Sequence, residues 1–427
     1  MNINEPPIIE PFAPIEKQQE PTPEGDGPPD RPSPDTPSPR RPARLPRCRP
    51  VRRHRRRIAA AVLLALMIPT GWSYAGYITA PGAAPTDVRS IEWLRDHGLE
   101  SPVALAEQWW YTRARPSGTT APVSNLVRSQ PVSVGATLGT GRRVSPAETI
   151  PVAESIPVVA GTPQAGEGVW QSVEGLASNG GVDQTFIRPD PTYPAVAVNL
   201  VRFDQRRISL VYAPGTAEPK GTNWAWNSQI PVSQRTHADA AFNAGFKFKD
   251  TAGGVYTEGR SAVRPLEDGL ASVVIRSDGT ADIVKWSRDA TIGPDISTVR
   301  QNLELIVDSG QPIAGLSSST GGRWGSRQSQ LQFTSRSGLG IDAHGRLLYA
   351  AGAQMSLSEL AAALSDAGAV RAMQLDIHKQ MVSFSWYRQD LSSSTGVQAT
   401  KLFESMRRDA TRYLSPDQRD FFTVIAR

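Results

Sequence analysis

The spacing of apolar positions changes along the chain, and each spacing predicts a different kind of segment. Residues 58–79 carry no charged side chain and open on the apolar run AAAVLLALMI, and roughly 20 such residues cross a bilayer core, so one transmembrane helix is expected there. In residues 88–115, Ile91 and Leu94, then Leu105 and Trp109, recur at helical spacing and predict a juxtamembrane helical segment. Its Trp93, Trp109, Trp110 and Tyr111 suit either a membrane interface or a surface of the folded domain.

From about Gly166 the period shortens to that of strands. Residues 195–203 and 207–212 flank Asp204-Gln205-Arg206, 270–276 and 281–286 flank Ser277-Asp278-Gly279-Thr280, and 338–342 and 346–350 flank Ala343-His344-Gly345. Each pair reads as a hairpin, which makes the sheet largely antiparallel. One stretch breaks the series: Ser356-Leu357-Ser358-Glu359 is a capping box, Leu357, Leu360 and Leu364 share a helical face, and Gly368 stands where a C-terminal cap belongs. A helix over 357–367 between strands at 347–350 and 369–375 is a βαβ crossover if the two strands share a sheet, and Asp376 then lies at a carboxyl end, where such sheets place ligands. Asp376 capping a plain turn is the alternative. The expected fold class is α+β, a mixed and largely antiparallel sheet with a βαβ unit towards the C-terminal half, preceded by one transmembrane helix. Residues 166–390 form its domain, and 391–427 read as a helical extension, an amphipathic helix plus a short docking segment, that packs on it.

Charge and composition add the remaining boundaries. Residues 36–57 hold ten Arg and no acid, 1–35 hold eight acids and two bases, and the other 34 bases nearly cancel 33 acids. The basic excess therefore belongs to the tail, and the folded part lacks the footprint of a nucleic-acid groove. Fifteen of the 36 prolines lie in residues 1–50, so 1–57 reads as a disordered Pro/Arg-rich tail. The arginines just before residue 58 predict a cytoplasmic tail and an extracytoplasmic domain, in a single-pass arrangement at the cell membrane. Ser73-Tyr74-Ala75 leaves a cleaved signal peptide as the alternative. Residues 116–165 contain no Phe, Trp or Tyr and read as a linker. The one cysteine, Cys48, lies in the tail, so the domain has no disulfide and no thiolate nucleophile. His237, His344 and His378 lack metal-ligand spacing and no Walker or GxSxG motif occurs, so neither a metal nor a cofactor is expected.

Three segments concentrate polar groups at predicted strand ends: AFNAGFKFK (241–249), RSGLG (336–340) and MQLDIH (373–378). The order NAGF, SDGT, VDSGQP, RSGLGID, LLYAAG, SLSELAAAL and LD resembles the phosphodiester glycosidase family over residues 166–387. By position, the resemblance implies roles for Asn243, Gly245 and Phe246 in the NAGF segment, for Arg336 and Gly340 in the RSGLG segment, and for Asp376 in place of the aspartate of an LDGGGS element. Here Gly-Gly-Gly-Ser is replaced by Ile377-His378-Lys379-Gln380. The activity implied is release of a sugar from a glycosyl phosphodiester. Its leaving group is a phosphate monoester, so the reaction needs charge stabilisation more than proton donation. Asp376 would stabilise oxocarbenium character or direct water, with Asn243 beside it. Arg336, then Lys247, Lys249 and His378, are the candidate phosphate-binding cations. The expected partners are the membrane and a sugar-phosphodiester or glycan substrate. A non-catalytic scaffold that binds envelope glycans or phosphate polymers is the second reading.

Overall fold

The computed structural model describes residues 52–79, 86–113, 117–127, 155–219, 223–318 and 321–427. The predicted tail over 1–51, with Cys48, and the middle of the predicted linker lie outside the described residues. The chain divides into Met1–Leu64 and a compact unit Ala65–Arg427 that contains all the sheets.

An eight-stranded sheet separates two cores. Its central strands Val198–Phe203, Thr334–Asp342 and Leu347–Met355 are buried almost throughout rather than alternating. Both faces are covered, so successive residues enter opposite cores: Leu347, Tyr349 and Ala351 join the larger, while Leu348 and Ala350 join the smaller. The smaller core packs under the helix Leu357–Asp366 (α5), whose Leu357, Leu360 and Leu364 are buried. Its capping box is complete, with the Ser356 hydroxyl accepting from the Glu359 N–H and the Glu359 carboxylate accepting from the Ser356 N–H. The strand Ala369–Ile377 follows α5 and runs parallel to Leu347–Met355, because both pair antiparallel with Thr334–Asp342 between them. The crossover is thus a βαβ unit split by one strand.

Two five-stranded sheets cover the larger core. In one, Ala238–Asn243 lies between Phe384–Gln389 and Phe421–Ala426, and Ile208–Ala213 forms an edge. Two of the three expected hairpins form as paired strands, Ala271–Arg276 with Ala281–Lys285 and Thr334–Asp342 with Leu347–Met355. The first does not. After the turn at Asp204, Val198–Phe203 stays in the large sheet while Ile208–Ala213 leaves to pair with Phe421–Ala426. The C-terminal segment is also not a helical extension: it supplies Val397–Lys401, a short turn of helix at Arg412–Leu414 and the interior strand Phe421–Ala426.

The N-terminal helices correct a further expectation. The segment 58–79 lies in a helix Arg52–Thr79 (α1), but no helix among the described residues is long and apolar enough to cross a membrane. The apolar run ends at Pro69, and the last two turns use their polar groups on the folded unit: Tyr74 Oη lies 2.7 Å from Ser90 Oγ and Trp93 Nε1 donates to Ser73 Oγ at 3.1 Å. Trp93 is buried between Tyr74 and His97, while Trp109 and Trp110 are exposed. Thr86–Leu94 (α2) and Glu100–Arg113 (α3) meet at a kink where Gly98 takes φ 85°, a left-handed conformation glycine adopts without a Cβ clash. Ends of the predicted linker lie against the sheets: the Val127 N–H donates to Asn199 Oδ1 at 2.7 Å.

Candidate active site

The site forms where two sheets are joined at strand ends. Ala238–Asn243 terminates in Asn243, and the next carbonyl, of Ala244, accepts from the Asp376 N–H at 3.1 Å. Asn243 reinforces this joint. Its Nδ2 donates to Ala244 O and to Ser337 Oγ, both at 3.0 Å, its Oδ1 accepts from the Ser383 N–H at 3.0 Å, and the Ser337 hydroxyl donates to Asp376 O at 3.0 Å. Asn243 is buried and holds the aspartate's backbone rather than lining the cleft. The following turn is fixed from behind by Asn302 and Arg300, which the sequence reading did not single out. Asn302 Oδ1 accepts from the Phe246 N–H at 3.1 Å, and Arg300 Nη2 donates to Phe246 O at 2.8 Å. A Cβ on Gly245 would stand 3.0 Å from Asn302 Cγ, so glycine there is a matter of close packing. The Phe246 ring packs on Leu303 and Ile377 at the cleft wall.

Asp376 lies at the end of its strand, 7% exposed, facing a cleft of about 510 Å³. Its Oδ1 accepts from the Ile377 N–H at 2.9 Å and its Oδ2 from Arg419 Nη2 at 3.1 Å. Burial pushes the carboxyl up to about 6, with Arg419 pulling against it. The acid is therefore poised near neutrality. Arg419 comes from the loop before the last strand and also donates to the Gly245 carbonyl at 3.0 Å. It is 8% exposed, its Nη1 makes no hydrogen bond among the described residues, and Glu218 Oε2 is 3.7 Å from its Nε. No local pattern marked this residue, because its link to Asp376 spans 43 positions.

His378 lines the cleft beside Asp376 and takes φ 76°, which a glycine of the family's Gly-Gly-Gly-Ser stretch would adopt freely. Its N–H donates to Ser335 O at 2.8 Å, and Nδ1 lies 3.3 Å from Thr334 Oγ1. Burial, then the charges of Arg95 and Arg336, push the imidazole well below its usual range, so it is neutral at pH 7 and does not serve as the expected cation. Lys247 lines the cleft, paired with Glu92 and 3.3 Å from Asp96 of the α2 segment, and Lys249 Nζ is 3.1 Å from Asp96.

Arg336 and Gly340 are placed elsewhere. Arg336 is fully buried, and its Nη2 donates to the carbonyls of Ser329, Gln330 and Gln332 at 2.7, 3.0 and 2.8 Å while Nε donates to Met355 O at 3.2 Å. Spent on carbonyls, it braces the loop around Arg327–Leu331 (α4) instead of meeting a phosphate. Gly340 sits mid-strand, where a Cβ would come within 3.1 Å of Ala369 Cβ and 3.2 Å of Ala372 Cβ. Among the described residues, no group of three or more His, Cys, Asp or Glu could hold a metal ion.

Residues 236–376 match the family model described as phosphodiester glycosidase. No curated protein matches the chain significantly. Among solved structures, the catalytic domain of zebrafish N-acetylglucosamine-1-phosphodiester alpha-N-acetylglucosaminidase, auto-inhibited by its pro-peptide, is 15% identical with a TM-score of 0.39, over 60% of this chain and 87% of that one. A hypothetical protein from Synechocystis is 16% identical with a TM-score of 0.34, over 58% of this chain and 62% of that one.

Proposed function

We propose that the phosphodiester glycosidase domain at residues 236–376 makes this chain a hydrolase that releases a sugar from a glycosyl phosphodiester. The observation that carries the reading is the Asp376–Arg419 pair facing the cleft, a carboxylate poised near neutrality beside a buried guanidinium with an N–H group to spare. A phosphodiester seated on Arg419 presents its anomeric carbon to Asp376. The C1–O bond breaks with its electron pair passing to the phosphate oxygen, where Arg419 stabilises the growing charge. Asp376, ionised above about pH 6, stabilises the positive character at C1 and takes the proton of the water that adds there. The products are a free sugar and a phosphate monoester. No general acid is needed, because the leaving phosphate monoester is a far weaker base than an alkoxide.

The test is incubation of the full chain, and of its Asp376→Asn variant, with an N-acetylglucosamine-1-phosphodiester, reading free sugar and phosphate monoester. Equimolar release by the wild type and none by the variant supports the reading. Tight binding without release by the wild type would move the chain to a glycan-binding scaffold.

A further inference from the structure

The reaction so described leaves unused the helices α2 and α3, yet they build one wall of the cleft. Arg95, just past the end of α2, and Glu107, on α3, both line it. The kink at Gly98 brings the two together, with Arg95 Nη2 donating to Glu107 Oε2 at 2.6 Å while Glu92 lies 3.6 Å from Nη1. Glu107 Oε2 is 4.0 Å from His378 Nδ1, which sets this pair against the segment that replaces the family's glycines. Arg95 also feels the charge of Asp376. The arm is fixed to the domain by contacts independent of Arg95: Lys247 with Glu92 and Asp96, Lys249 with Asp96, and Gln332 Nε2 donating to Ala104 O at 3.5 Å.

A phosphodiester carries two non-bridging oxygens, and a guanidinium held in place by a carboxylate is suited to one of them without a large ordering cost. Arg419 meets the substrate from the C-terminal side of the site. The Gly-rich backbone cradle that would have supplied further donors is absent. We propose that the arm is a working part of the site, in which Arg95 binds the substrate's phosphodiester together with Arg419, and Glu107 is the positioning residue for Arg95. This rests on the reading that the substrate is a glycosyl phosphodiester.

The experiment uses the full chain as wild type, Arg95→Met, Arg95→Lys, Glu107→Gln and the Arg95→Met/Glu107→Gln double variant. KM and kcat are measured on an N-acetylglucosamine-1-phosphodiester. The dissociation constant of the same diester is measured by calorimetry in the Asp376→Asn background, with N-acetylglucosamine as the uncharged probe. Losing one charge-assisted pair should raise KM and the dissociation constant of the diester about ten- to a hundredfold, with kcat changed less than about threefold. Sugar binding should be unchanged. Arg95→Lys, which keeps the charge and loses the fork, should fall between wild type and Arg95→Met. Glu107→Gln should weaken diester binding less than Arg95→Met and add nothing to it in the double variant, as a residue acting through Arg95 must. Diester binding that is unchanged or tighter in Arg95→Met would overturn the proposal and leave the arm as a cover over the cleft. If the wild type binds the diester without turning it over, the hydrolase reading fails while the calorimetric comparison still decides the role of Arg95. A wild type that binds no diester overturns both.

Discussion

Replacing Arg419 by Met removes a positive charge 3.1 Å from Asp376 Oδ2 while keeping an unbranched apolar stem in the same space. At that separation two unit charges interact by about 5 kcal/mol with an effective dielectric constant of about 20. An aspartate beside an arginine commonly sits about 1–3 pH units lower for that reason. In the wild type burial already holds Asp376 up to about 6 against this pull. Without Arg419 the largest influence opposing burial is gone, only the Ile377 N–H and Lys247 still pull the carboxyl down, and it should titrate between about 7 and 9. In the proposed reaction ionised Asp376 is the active form, so kcat/KM for the glycosyl phosphodiester should rise with pH through about 6 in the wild type and through about 7–9 in Arg419→Met. At pH 7 the active fraction should fall from about nine-tenths to at most about one half, before any loss of phosphate binding is counted. Arg419→Lys restores a charge and should bring the rising limb back towards the wild-type value. The assay is release of free sugar from pH 4.5 to 9.5. A rising limb that stays near pH 6 in Arg419→Met, or moves to lower pH, would refute the electrostatic coupling of the two residues.

Three more outcomes follow from the same contacts. The folded state holds Asp376 protonated up to about 6 against an ordinary 3.8, so the unfolded chain ionises first and stability falls as pH rises through that window. The stability of Asp376→Asn minus that of wild type, measured by urea unfolding, should therefore grow by up to about 3 kcal/mol between pH 4 and 7, and a constant difference would contradict the raised carboxyl. Gly245→Ala puts a Cβ 3.0 Å from Asn302 Cγ and should cost about 1–3 kcal/mol in urea unfolding, against near neutrality if the turn has room. Arg336→Met takes the guanidinium donors away from the carbonyls of Ser329, Gln330, Gln332 and Met355 and should destabilise by several kcal/mol, on the order of 2–5. Its diester KM should change little under conditions where it folds, in contrast to Arg419→Met.

What was legible in the sequence was local. The capping box at Ser356, the helix after it and the two tight hairpins follow from residues within a few positions of one another, and all appear in the fold. The third hairpin failed although its turn exists, because the partner of Ile208–Ala213 is Phe421–Ala426, some 200 residues away, and no turn residue encodes that choice. The C-terminal segment failed for the same reason: its apolar residues have helical spacing, but Phe421 and Phe422 are committed to a strand between two others. Asp376 was found because a strand followed a capped helix. Arg336, taken from a motif, proved to be buried under carbonyls, since position in a motif does not report which way a guanidinium is spent.

The charged groups of the cleft surround a segment after Asp376 that has Ile377-His378-Lys379-Gln380 where the resemblance has glycines. His378 keeps the left-handed backbone that glycine would give, so the chain path is preserved. Its N–H, however, is turned to Ser335 O, and its ring is held neutral by burial and by Arg95 and Arg336. The His378 N–H and an imidazolium are thus both unavailable to an anion in the cleft at that position. Of the cations that line the cleft, Lys247, Lys249 and Arg264 lie within residues 236–376, while Arg419 comes from the C-terminal loop and Arg95 from the arm. Guanidinium groups reach an anion from a distance that a backbone N–H cannot, and each is kept charged by its own carboxylate, Arg419 by Asp376 and Arg95 by Glu107. In the proposed site, residues on both sides of the matched segment 236–376 complete the charge arrangement around the aspartate that this segment brings to the cleft.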